Sequence, residues 1–295
     1  MSGLRVSAQG VTWLAVPQWA SSDAEYGQGR DQRQGNNRDW LWHGFSTRRG
    51  GVSRAYLPLN SGRDVSSELN LGFTTADFRE NVLENRLRFV EAVTCTRDTP
   101  LATVRQIHSN LSVVAGEDWL RRAGAGAASI PEADGIMTNQ RGLLLGIQTA
   151  DCIPVLVADP VARAVAAFHA GWRGTVNQIV EQGVTRMREE FGSDPTNLIA
   201  AIGPGIGECC YTVGAEVLAH FEAGFLYSDE LFAHAEGKLR LDLTEANRQQ
   251  LLAAGVPTGS ISIVGGCTGC RQDLFYSHRA SGGDAGRMMA VIGLS

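Results

Sequence analysis

The sequence is short of three things that would each have decided its class. Basic residues are not in excess: 26 lysines and arginines stand against 31 acids, a net charge of -5. That excludes the electrostatic footprint of a nucleic-acid binder, and small anions must then be met by individual arginines. Long apolar runs are missing too. The segment Val11–Val16 near the start is short, contains Trp13 and leads to no small-residue cleavage pattern, so neither a signal peptide nor a membrane span is expected. Histidine is scarce, with six in the chain and no HxH pair, too few for a type 1 copper together with a trinuclear copper cluster. The six cysteines, at 95, 152, 209, 210, 267 and 270, are scattered through the chain. That spacing differs from the dense framework of a small secreted scaffold and points to a reducing compartment, the cytoplasm.

What is present describes a globular protein: 295 residues, 43% hydrophobic and 19% charged, with 35 glycines grouped at turn-like positions such as Gly50-Gly51 and Gly203–Gly207. Residues 1–39 read as an N-terminal strand followed by a mobile polar loop, Ser21–Asp39, and residues 40–295 as one continuous catalytic domain without repeats. Phe78, Val82, Phe89 and Val93 recur at helical spacing behind Asp77 as N-cap. A second helix follows Thr175 and closes at Gly192, and two more start after Gly214 and at Thr244. Short apolar runs at 143–148, 153–158, 164–168, 198–203, 261–264 and 288–294 read as buried strands. The expected fold is a single α+β domain whose central mixed sheet layers are covered by helices.

Chemistry-bearing residues stand at the ends of these strands. Asp151-Cys152 occupies the bend between two of them, His169 ends the next, and His108 follows another short apolar stretch in TVRQIHSN. Two imidazoles and one thiolate with an open fourth position fit a catalytic zinc site, whereas structural zinc is normally closed by four protein ligands. The plain alternative is a hydrogen-bonded core histidine and an inert cysteine. Arginines beside glycines in FSTRRGG, AGWRGT and FYSHRASGGDAGR single out Arg48, Arg173 and Arg279 as anion ligands or as solvated turn residues. Trp172 is a base-stacking candidate or a packed tryptophan, and Asp151 a proton-transfer candidate or a brace of its turn. Cys267 and Cys270 form a CxxC and Cys209-Cys210 are adjacent. Neighbouring cysteines do not readily chelate one metal and no second CxxC exists, so packing or backbone contacts are the expected role of all four.

The blocks HGFSTRRGGVS, NLGF with ENR, RQIHSN, ADGIMTN, TADCIPVLVAD, AFHAGWRGT, AIGPGIGECCYTVG, CTGC and FYSHRAS…GR…AVIGL occur in that order between His43 and Leu294. In this they resemble the YfiH/YlmD/LACC1 family, also called the multicopper polyphenol oxidase or laccase-domain family. The resemblance implies the α+β fold shared with the catalytic domains of cytotoxic necrotizing toxins, and a metal site formed by His108, Cys152 and His169. Zinc is the implied metal, with copper as an alternative. The implied activity is phosphorolysis of purine nucleosides (adenosine, inosine, guanosine, methylthioadenosine) with adenosine deamination beside it. Asn70 of the NLGF block joins Arg48, Trp172, Arg173 and Arg279 as a substrate-binding candidate. Three positions depart from the usual blocks: QIHS with Ser109, YTVG with Thr212, and Arg279-Ala280 where a doubled arginine is usual.

The expected partners are therefore purine nucleosides and phosphate, with no nucleic acid and no membrane, on a chain expected to be monomeric. Three rivals stand beside this reading. One is a copper-dependent polyphenol oxidase using a single copper at the His/His/Cys site. The second is a metal-free cysteine hydrolase or amidase, editing peptidoglycan precursors, with Cys152 as nucleophile and His169 as base. The third is a non-catalytic zinc-binding protein.

Overall fold

A computed structural model describes residues 3–19, 40–57, 67–122 and 130–295; the Ser21–Asp39 segment expected to be a mobile loop lies outside the described residues. The apolar runs form strands that assemble into two six-stranded sheets. The first runs β1 (Leu4–Val6), β2 (Thr12–Leu14), β3 (Leu41–Ser46), β16 (Met288–Leu294), β8 (Leu144–Thr149) and β5 (Leu101–Thr103). The second runs β15 (Ile261–Ile263), β11 (Ile199–Ile202), β9 (Ile153–Asp159), β10 (Ala164–Ala170), β7 (Gly135–Thr138) and β6 (Ser112–Val114). A small third sheet joins β12 (Thr212–Val213), β14 (Lys238–Leu241) and β13 (Phe232–Ala235), while β4 (Arg49–Ser53) makes bridges to Glu68. The helices are α1 (Arg79–Thr94), α2 (Glu117–Arg122), α3 (Trp172–Val176), α4 (Ile179–Phe191), α5 (Ala215–Gly224) and α6 (Leu243–Ala253).

The central strands of each large sheet are buried on both faces, which is why they read as unbroken apolar runs. Successive side chains alternate between two cores. In the first sheet Leu145, Ile147 and Ile292 turn inward and meet Leu156, Val165 and Ala167 of the second sheet. Leu144, Met289 and Val291 turn outward against Phe89 and Val90 of α1. On the far side, Val155, Val157, Ala166 and Phe168 pack against Val180, Val184 and Met187 of α4 and Leu251 of α6. The order of layers is therefore helix, sheet, sheet, helices. Among the described residues, no helix is long and apolar enough to cross a membrane.

Three helix expectations need correction. Phe78, not Asp77, occupies the N-cap of α1, and it makes no side-chain cap bond. The Asp77 carboxylate instead accepts from the Ser53 hydroxyl (2.5 Å) and the side-chain amides of Asn70 (2.8 Å) and Asn81 (3.1 Å). With no helical turn ahead of it, Phe78 is 76% exposed and not on the buried face. The helix after Thr175 is broken in two: α3 ends at Val176 and α4 begins after Gln178, whose φ of 58° is left-handed. Gly192 closes α4 at φ 70° as expected. The last helix opens one residue early, at Leu243, because Asp242 caps the Glu245 N–H at 2.9 Å.

Gly183 in α4 separates propensity from packing. Alanine is about 1 kcal/mol better than glycine inside a helix, yet a Cβ there would stand 2.3 Å from Cε1 of the fully buried Phe168. Overpacking of that kind costs about 1–3 kcal/mol, so Gly183→Ala is expected to lower the midpoint of chemical denaturation. An unchanged or raised midpoint would show that the Phe168 ring yields freely.

Candidate metal centre

Strand alternation aims the first two site residues. Val165 and Ala167 of β10 face the inter-sheet core, and His169, two residues on, continues that face and is 3% exposed. On β9, Leu156 and Ala158 take the same side. Cys152, of the same parity, follows them just ahead of the strand, after Asp151 at φ 92°. Because His169 pairs with Pro154 and Ala170 with Ile153, the antiparallel register brings Cys152 beside the histidine.

The third residue arrives through Asp134. Phe168 pairs with Gly135, so Asp134, one step before β7, lies next to His169 and accepts its backbone N–H at 2.7 Å. The fully buried carboxylate then collects the RQIHSN turn: backbone N–H groups of Ile107 (3.2 Å), His108 (3.0 Å) and Ser109 (2.6 Å), and the Ser109 hydroxyl (2.8 Å). His108 has φ 59°, a left-handed conformation stabilised by this anchorage. The same carboxylate bonds His169 Nδ1 at 2.8 Å, leaving Nε2 as that ring's ligand atom.

The result is compact. The rings of His108 and His169 are 4.9 Å apart, edge to face, and the ligand atoms of both and of Cys152 lie within 4.8 Å of one another. Burial works against the Cys152 thiolate, but the charge of His169 and hydrogen bonds from both histidines outweigh it and bring the thiol down to about 6. Burial likewise disfavours a charged His169, yet Cys152 and Asp134 raise it to about 9. Burial opposes ionisation of Asp134, and the bonds from His169 and Ser109 still hold it at about 2. Thiolate and imidazole are the donors that soft and borderline divalent cations take. Space is kept beside them: a Cβ at Gly171 would stand 3.0 Å from Cys152 Sγ and 3.2 Å from His108 Cδ2. The residues therefore fit a metal ion.

The cluster opens onto a cavity of about 400 Å³. Arg105, His278 and Arg287 stand on its wall with Gln106 and Gln148, whose side chain and backbone bond each other at 2.7 and 2.8 Å. Of the residues picked from sequence, only His108, Cys152 and His169 line it. Asp151 is 8% exposed, and its two oxygens accept the Thr268 hydroxyl (2.5 Å) and the Arg279 N–H (2.7 Å), which makes it a brace of the turn. Arg48 is bound to Glu68 and lies 4.7 Å from the centre of the Tyr276 ring. Asn70 is fully buried and accepts the Arg287 N–H at 2.9 Å, so it positions a wall residue. The Arg173 guanidinium covers the Trp172 ring at 4.3 Å, that ring tilts against His220, and Arg279 sits 5.2 Å over Tyr211. Asp134, Gln106, Gln148, His278 and Arg287 were missed, although each lies in or beside a block singled out in the sequence.

Two measurements check this account. In chelator-treated protein, iodoacetamide modification of Cys152 should rise as pH climbs through about 6, against about 8.5 for an ordinary thiol. His169→Ala should move that midpoint upward, and a wild-type midpoint near 8.5 would contradict the ion pair. Asp134→Asn should weaken zinc binding roughly 10–100-fold, as losing a carboxylate behind a metal-bound histidine does. Titration against a competing chelator reads this directly, and unchanged affinity would remove Asp134 from the site.

Residues 42–295 match the family described as "Multi-copper polyphenol oxidoreductase laccase". The chain is 36% identical over 253 residues to "Purine nucleoside phosphorylase YlmD" of Geobacillus stearothermophilus, covering 85% of this chain and 89% of that protein. It is 35% identical over 253 residues to "Adenosine deaminase RL5" of an unknown prokaryotic organism, covering 84% and 92%. The crystal structure of the Bacillus licheniformis hypothetical protein YfiH superposes over the whole of both chains with a TM-score of 0.79 at 31% identity. Sequence blocks, fold and relatives agree, and the chain belongs to the multi-copper polyphenol oxidoreductase laccase family, the YfiH/YlmD group.

Proposed function

We propose that this chain is a zinc-dependent purine nucleoside phosphorylase acting on adenosine, inosine, guanosine or methylthioadenosine, with adenosine deamination as a second reaction at the same site. The observation that carries it is the His108/Cys152/His169 cluster facing a cavity of about 400 Å³ whose wall holds two arginines and a histidine, a volume usual for small-molecule sites. The phosphorylase and deaminase names of the relatives support the reading.

Phosphorolysis forms a bond from a phosphate oxygen to the anomeric carbon and breaks the glycosidic bond, whose electron pair and one proton go to the purine. Arg287 supplies the positive charge that holds the phosphate against the sugar, with Arg105, ion-paired to Glu132, beside it on the wall. In this reading His278, on the same wall and outside the metal cluster, delivers the proton to the leaving base. Asn70 fixes the Arg287 backbone, and the carbonyls of Ala285 and Gly286 hold its Nη1 at 2.5 and 3.1 Å. When bound, zinc supplies Lewis-acid polarisation of a substrate atom or water.

One observation favours a second reading. Without metal, Asp134, His169 and Cys152 form the orienter, base and nucleophile of a cysteine hydrolase. Chelation separates the two, because a hydrolase survives it.

The test is incubation of metal-quantified protein with adenosine, with and without phosphate, resolving adenine, inosine and hypoxanthine. Phosphate-dependent adenine, abolished by chelation and by Cys152→Ala, is expected. Arg287→Ala should raise the phosphate KM about tenfold, the loss of one charge-assisted hydrogen bond of about 1.5 kcal/mol. No product under either condition would sink the nucleoside reading, and chelator-resistant amide hydrolysis would establish the second.

A further inference from the structure

The four cysteines expected to serve only packing or backbone contacts come together in space. Strands β11 and β15 are parallel neighbours, and their continuations leave the sheet side by side. A bridge between Gly205 and Cys267 and a bond from the Thr268 N–H to the Gly205 carbonyl (2.9 Å) extend that pairing into the loops. The loop after β11 carries Cys209-Cys210 on a single 3-10 turn, Glu208–Cys210, and the loop after β15 carries Cys267 and Cys270. All four sulfurs lie within 4.8 Å of one another, with Cys270 Sγ 3.4 Å from Cys209 Sγ and 3.5 Å from Cys210 Sγ. None is in a disulfide.

A tetrahedral zinc with Zn–S bonds of about 2.3 Å places its sulfurs about 3.8 Å apart, inside the range observed here. The loops are shaped for that approach. A Cβ at Gly269 would stand 2.9 Å from Cys210 Cβ and 3.0 Å from its sulfur, and one at Gly207 would stand 3.1 Å from Cys267 Cβ. The Gly207 N–H donates to Cys267 Sγ at 3.2 Å, the support a thiolate ligand takes from its surroundings. The objection to adjacent cysteines applies to chelation by those two alone. Here each supplies one vertex and the CxxC supplies the other two.

We propose that Cys209, Cys210, Cys267 and Cys270 form a second metal site, a closed four-thiolate centre for zinc with a structural role, separate from the His108/Cys152/His169 cluster. It would staple two loops that clamp the turn beside Cys152. Thr268, between the ligands of the CxxC, donates its hydroxyl to Asp151 Oδ1 at 2.5 Å, and the Ile206 N–H bonds the Asp151 carbonyl at 2.7 Å.

The test uses full-length protein purified under reducing conditions, with zinc counted by mass spectrometry and free thiols titrated. Wild type should carry two zinc ions per chain, and both Cys152→Ala/His169→Ala and Cys270→Ser should carry one. Cobalt reconstitution of Cys152→Ala/His169→Ala should give thiolate-to-cobalt charge transfer and tetrahedral d–d bands. That readout does not depend on any nucleoside activity, nor on the Cys270 variant folding. Absence of metal from Cys152→Ala/His169→Ala, a cobalt spectrum without thiolate bands, or a thiol count lowered by disulfides among the four would each overturn the proposal.

Discussion

The Asp134 carboxylate accepts three backbone N–H groups, a hydroxyl and an imidazole, and the site depends on that convergence. A carboxylate buried this completely would cost several kcal/mol if left unpaired. Its donors outweigh the desolvation, which is why it ionises at about 2 and not above the ordinary range. The same bonds fix the left-handed turn at His108 and the ring orientation of His169. One buried charge thus turns two unrelated stretches of chain into a cluster with a defined geometry.

The layered architecture makes such a burial possible. Two sheets pressed together leave an apolar inter-sheet core, and strand alternation decides that Cys152 and His169 enter it from adjacent strands while Phe168 and Ala170 face the helices. The cavity opens where that core ends. The remaining histidines show how little the family description's reference to several coppers matches this chain. His43 is buried near Trp19 and accepts the Val16 N–H at 3.1 Å, His220 lies against Trp172, and His234 sits on β13. His278 stands on the cavity wall outside the cluster, and among the described residues only His108 and His169 join a thiol in a group of three or more candidate metal ligands.

Much of the fold was legible because central strands buried on both faces leave an unmistakable pattern. The six apolar runs all became strands, and the helix closed by Gly192 ended there. Short strands such as Leu101–Thr103, Ser112–Val114 and Gly135–Thr138 were not read from the sequence, because what sets them in a sheet is pairing with β8, β7 and β10 across the chain. Asp77 failed as a cap because Ser53 and Asn70, both outside the helix, claim its carboxylate. Among the site residues, Cys152 and His169 could be found as reactive groups at strand ends. Arg48, Asn70 and Asp151 have the right chemistry, but long-range partners already occupy them.

By itself the sequence determined the donors, the strands that carry them and the family blocks around them, because these rest on residue type and on periods of two and 3.6. Only the tertiary structure decided that Asp134 would join His108 to His169, and that Arg287 and His278 would share their cavity. It also brought four cysteines from two loops within reach of one another. The physical reason is common to all three: strand register and loop closure set distances between residues tens of positions apart, and no local pattern records them.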